Sequence, residues 1–208
     1  MSIVLHYFDS WGRAERIRWL LIIHNIEFTN KLYEWGEWLG AKDSIEFGQL
    51  PVADIDGHRL TQSLAIERYL ARKLNIVPSD SYQEYLVDSV LGAFDDYFRH
   101  VATFMIYTTD VDGFISYYRE ELKHNLEYIE KRIEENGNNG FVVGNTLTLA
   151  DLAVAEFVQD VFLSGPRKNT LSPVINEGNP KLVEFAQNII KRYPVLLAHV
   201  SSRPDKNY

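Results

Sequence analysis

Gln49, Leu50 and Pro51 stand directly before a short apolar run, and Gln62 and Ser63 directly before an apolar run of helical period. An X–Pro bond reaches the cis form at modest cost. A cis proline at a strand start would turn the Leu50 carbonyl and N–H outward, where an extended peptide-like ligand can pair with them as an added strand. The alternative is a trans proline on an edge strand. Ser63 is a natural N-cap. The helix start behind it offers free N–H groups and partial positive charge, which suit a carboxylate, and Gln62 adds an amide. The plainer alternative is a cap with no ligand.

The elements that must position these residues are legible in outline. Residues 2–8 read as a buried strand, and 13–25 carry apolar residues at helical spacing. Residues 26–33 read as a second strand. The runs 51–55 and 58–61 flank Asp56-Gly57, a two-residue hairpin signal, and 63–75 form an amphipathic helix. The order β-α-β, then a loop or helix, then β-β-α predicts a compact α/β unit over 1–76. A polar, proline-containing linker spans 77–81. An all-helical unit is expected over 82–208, with long helices at 82–108, 112–136, 148–164 and 181–193 and shorter turns around Pro194. All four tryptophans, Trp11, Trp19, Trp35 and Trp38, fall in the first unit, which supports the same cut.

Composition narrows the chemistry. The 208 residues carry a formal net charge of −8 and no basic run, so nucleic acid and anionic membranes are poor partners. No run is long and apolar enough for a bilayer span, and no signal-peptide pattern opens the chain, so a cytoplasmic location is expected. There is no cysteine. Disulfides and a thioredoxin-type redox pair are excluded, and any thiol chemistry must use a thiol brought by a ligand. The six histidines show no metal-ligand spacing, and no metal is expected.

The segments LHYF, GRAERIRWLL, FGQLPVADIDG and LTQSLAIERYLA together resemble the N-terminal domain of cytosolic glutathione transferases, the sigma class in particular. That class includes invertebrate transferases and the glutathione-dependent prostaglandin D synthase. Residues 144–156, with Thr148 and Asp151 in a T-x-x-D pattern, resemble the family's capping box in the helical domain. The resemblance implies a thioredoxin-like domain followed by an all-helical one, in a homodimer that joins glutathione to hydrophobic electrophiles. By the same resemblance Tyr7 is the catalytic tyrosine and Arg13 its electrostatic support. Trp38 and Lys42, four apart on one helical face, hold the glycine end of glutathione. Gln49, Leu50 and cis Pro51 hold its cysteinyl backbone, and Gln62 and Ser63 its γ-glutamyl carboxylate. Asp96 reaches the γ-glutamyl amine across the dimer. Phe8, Thr103 and Tyr107 border the electrophile. Gly92 and Thr103 depart from the prostaglandin synthase pattern, which has an acid and an aromatic residue there. The alternatives are a prostaglandin isomerase, and a non-catalytic carrier of hydrophobic ligands or a crystallin-like protein.

Overall fold

The computed structural model describes residues 1–204, so the last residues of the helical unit expected to run to 208 lie outside the described residues. The chain divides into two compact units, Met1–Asn75 and Ile76–Tyr208.

The first unit is built on a four-stranded sheet of order β2-β1-β3-β4. Strand β1 (Ile3–Phe8) runs parallel to β2 (Thr29–Tyr33) and antiparallel to β3 (Val52–Ile55), which pairs antiparallel with β4 (His58–Thr61). A parallel pair needs a crossover, and α1 (Gly12–Ile23) supplies it. The β3–β4 turn follows the sequence signal: Asp56 and Gly57 both have positive φ, 50° and 86°, as a type I′ hairpin turn requires. Helix α3 (Ser63–Lys73) packs on α1. Short α2 (Trp35–Ala41) fills the stretch between β2 and β3 that the sequence leaves open as loop or helix. Its Trp38 joins Tyr33, Ile45 and Val52 in a cluster that also takes Phe8 and Leu50. Side chains alternate along a strand, so Tyr7 and Leu5 point to the face opposite Phe8 and His6.

The second unit is helical: α4 (Ser81–Ala102), α5 (Val111–Tyr117), α6 (Lys123–Glu135), α7 (Leu149–Val158), α8 (Lys168–Gly178), α9 (Pro180–Arg192) and α10 (Pro194–Ser202). Asp80 caps α4, accepting from the Gln83 N–H at 2.9 Å. Every residue of α7 is buried, and α7 packs on α4 and α9. Three expected helices are interrupted by single wide π turns, at Thr103–Tyr107, Tyr118–Leu122 and Gln159–Leu163. Helix α8 was missed because Pro173, inside it, reads as a breaker.

Candidate active site

Tyr7 is the penultimate residue of β1, with its ring buried, and after Phe8 the chain doubles back through Asp9, Ser10 and Trp11 into α1. The Arg13 backbone N–H, in the first turn of α1, donates to the Tyr7 hydroxyl at 3.0 Å. The hydroxyl therefore lies at a helix N-terminus, where orphan N–H groups and the macrodipole favour negative charge. Gly12 makes the approach possible. Its φ is +46°, and a Cβ there would stand 2.5 Å from the Tyr7 hydroxyl oxygen. The positive φ and the missing side chain are both needed.

A second cluster forms where β3 and α3 begin. The Leu50–Pro51 peptide is cis. The Gln62 side-chain amide donates to Gln49 Oε1 at 3.0 Å, joining two of the residues picked for ligand binding. Ser63 is a correction: it is the first residue of α3, and the flanking cap position falls to Gln62, held at φ 67° and ψ 111°. That backbone turns α3 sharply out of β4, and Ser63 lies buried within the first turn. Trp38 and Lys42, four apart, do share a helical face: Lys42 caps α2 with helical backbone, its N–H bonds the Trp38 carbonyl, and a 3-10 turn then follows. Trp38 is core, packed edge-on against Phe8 and Tyr33 at 6.1 Å each. Lys42 lays its aliphatic stem along Gly48. Phe8 packs between Trp35 and Trp38.

In the helical unit, Asp96 is exposed on α4, 4.0 Å from the Arg99 guanidinium, which binds Asp95 more closely at 2.7 Å. Asp96 and Thr103 line a polar cleft of about 560 Å³ with Tyr97, His100, Tyr117 and Glu121. His100 stacks on Tyr117, whose hydroxyl is pushed up to about 12 by burial first and by the Glu121 charge second. Tyr107 stands outside that lining, 79% exposed. Thr103 turns its hydroxyl back to the Arg99 carbonyl at 3.0 Å.

In the first unit three buried charges, Glu15, Arg18 and Glu67, escaped the sequence reading. Arg18 Nη1 donates to the Ser10 carbonyl at 3.0 Å, the Trp11 carbonyl at 3.4 Å and Glu15 Oε2 at 2.8 Å, while its Nε donates to Asn30 at 3.1 Å. Glu15 Oε1 accepts from Trp19 Nε1 at 3.1 Å. Glu67 on α3 is wholly buried and accepts from Arg16 Nε at 2.8 Å, and burial pushes its carboxyl up. Glu15 and Arg18 lie three apart in α1, but Arg13 and Arg16 share that helix, and the spacing alone does not mark which charges are buried.

Comparison with known proteins places the chain in a family. The glutathione S-transferase N-terminal domain profile matches residues 3–72, and the C-terminal domain profile matches residues 95–203. Among curated relatives, a probable glutathione S-transferase 6 of Caenorhabditis elegans is 33% identical over 76% of this chain and 79% of its own length. The hematopoietic prostaglandin D synthase of Homo sapiens is 27% identical, covering 91% of this chain and 96% of its own. The solved structure of a Nu-class glutathione S-transferase from Haemonchus contortus superposes with a TM-score of 0.82 at 30% identity, over 100% of this chain and 99% of that one. Both profiles, in order along one chain of the same fold, establish that the protein belongs to the glutathione S-transferase family.

Proposed function

We propose that Tyr7 activates the thiol of reduced glutathione for attack on hydrophobic electrophiles. Glutathione, the family's co-substrate, brings the thiol this chain lacks. A free thiol with pKa near 8.5 is only roughly 3% thiolate at neutral pH. The observation that carries the reading is the bond from the Arg13 N–H to the Tyr7 hydroxyl. A phenol that accepts a hydrogen bond is a stronger donor, and a donor aimed at sulfur favours the thiolate. The thiol proton passes to solvent. The sulfur then forms a bond to the electrophilic carbon, and the leaving group departs with its electron pair.

Leu50 and the Gln49–Gln62 pair are assigned to the peptide backbone and γ-glutamyl end, with Ser63 at the start of α3 for its carboxylate. Lys42 is assigned to the glycine carboxylate, and Trp38 acts by shaping the wall beneath it. Arg13 supplies nearby positive charge. Asp96 is assigned to the γ-glutamyl amine of the partner's site in a homodimer; its exposure on α4 supports that reading. Phe8, Thr103 and Tyr107 are assigned to the electrophile side. Sigma class and a cytoplasmic location belong to the same proposal.

The test is turnover of 1-chloro-2,4-dinitrobenzene with glutathione. Conjugation is expected, and a folded protein with no turnover would favour the carrier reading. Prostaglandin H, assayed with and without magnesium, is expected to turn over weakly with no response to the metal. Fast, metal-stimulated isomerisation would favour the isomerase.

A further inference from the structure

We propose that Arg18 is a positioning residue for this reaction: its guanidinium holds the Ser10–Trp11 turn that delivers the Arg13 N–H to the Tyr7 hydroxyl. The inference rests on the role proposed for Tyr7. The turn between the two residues is tight, with the Ser10 N–H donating to the Phe8 carbonyl at 2.7 Å. It then presents the Ser10 and Trp11 carbonyls to Arg18, whose side chain is 8% exposed. Buried carbonyls need a donor, and Nη1 of Arg18 serves both.

The guanidinium cannot swing. Glu15 Oε2 holds Nη1, Asn30 of β2 holds Nε, and Trp19 fixes the other oxygen of Glu15. The clamp therefore ties the turn to α1 and to the sheet at once. The guanidinium carbon also stands 5.9 Å from the Tyr7 ring centroid. Only a planar, multi-donor cation makes this set of bonds; a lysine ammonium brings charge without the fork. The bonds of Arg18 go to Ser10, Trp11, Glu15 and Asn30, around the turn and β2, so its loss should disturb the reacting hydroxyl more than the peptide anchors.

Misplacing a catalytic group by about 1 Å can cost on the order of 100-fold. Arg18→Lys and Arg18→Met are expected to lower kcat for dinitrochlorobenzene conjugation by about 10- to 100-fold, with the KM for glutathione within a few-fold. The pH midpoint of kcat/KM should rise towards that of the free thiol. A purely structural role would lower the fraction folded and leave that midpoint in place. Arg18→Lys in a Tyr7→Phe background should add little, because a residue acting through Tyr7 has nothing left to position. An unchanged midpoint in either folded Arg18 variant, or full additivity with Tyr7→Phe, would overturn the inference. If neither variant folds, Asn30→Ala frees Nε without unpairing the buried charge, and an unchanged midpoint there overturns it equally. A wild-type profile in Tyr7→Phe sinks the Tyr7 reading itself; a shifted Tyr7→Phe beside unshifted Arg18 variants sinks only this one.

Discussion

The Arg13 amide and the Tyr7 hydroxyl, six residues apart, meet at 3.0 Å because β1 ends and α1 begins within one tight turn. The helix start thus polarises the phenol, and the phenol faces a region already suited to negative charge. Tyr7→Phe keeps the ring and its packing but deletes the donor. Conjugation should fall by about 10- to 1000-fold, the range for one positioned donor, while glutathione affinity changes by a few-fold. Steady-state kinetics and ultraviolet titration of the bound thiol would show it. A wild-type rate at neutral pH removes Tyr7 from the mechanism.

Gly12 is expected to be intolerant for reasons of space as much as backbone. Gly12→Ala places a Cβ 2.5 Å from the Tyr7 oxygen and strains a backbone at φ +46°. Either the ring or the turn must shift. Left-handed backbone costs an alanine about 1–2 kcal/mol, so the protein should fold with a lowered Tm. Activity should drop by about 10-fold or more, because the Arg13–Tyr7 bond is lost with the shift. Full activity in a folded Gly12→Ala protein would show that the turn has slack.

The sequence made the turn chemistry legible where one backbone geometry demands particular residues. Asp56-Gly57 announces a hairpin because both residues must take positive φ, and both do. Pro51 marked a peptide with two plausible isomers, and the structure has the cis one. Helix ends were less legible: Ser63 sits one position inside α3 because Gln62 adopts a backbone that serine patterns do not announce. The π turns are not announced by a period of 3.6: each inserts one residue and slips the apolar stripe by about 100°, which in a short window is hard to tell from the ordinary mix of three- and four-residue spacings. Nothing local in the sequence reveals that Glu15 and Arg18 are buried against each other.

Asp54 should make the first unit acid-sensitive. Its carboxylate receives Arg59 Nε at 2.8 Å and Nη2 at 2.9 Å, and His6 Nε2 lies 2.9 Å away. The Arg59 hydrogen bond holds its pKa down to about 2, against a partial desolvation cost. A depressed folded pKa means stability that is present above the unfolded value of 3.8 and lost as pH falls towards 2. With the side chain 32% exposed, solvent screening limits the contribution to about 1–2 kcal/mol. Asp54→Asn should therefore be less stable than wild type at neutral pH, and the gap should close at acid pH. Denaturant midpoints measured across that window would decide it; a gap independent of pH would assign the effect to packing.

Asp151 has the opposite sign. It closes the capping box of α7: Oδ2 accepts from the Thr148 N–H, at 2.6 Å, and from its hydroxyl, at 3.0 Å, while Oδ1 accepts from the Val142 N–H at 2.7 Å. The residue is wholly buried, and desolvation pushes its carboxyl up to about 6 in spite of those bonds. A raised folded pKa means stability fully present below the unfolded value of 3.8 and lost as pH rises through about 6. Asp151→Ala strands two buried N–H groups and a hydroxyl, so it should cost about 3 kcal/mol or more at about pH 4, and because alanine does not titrate that deficit should also shrink as pH rises. Asp151→Asn keeps one acceptor and does not titrate. It should be clearly less stable than wild type at about pH 4. That deficit should shrink by about 1–3 kcal/mol at about pH 8, where the wild type carries the desolvation cost of its charge. Equilibrium unfolding of the three proteins at both pH values is the measurement. A deficit for Asp151→Asn that grows with pH would mean the three donors outweigh burial and hold the carboxyl ionised throughout.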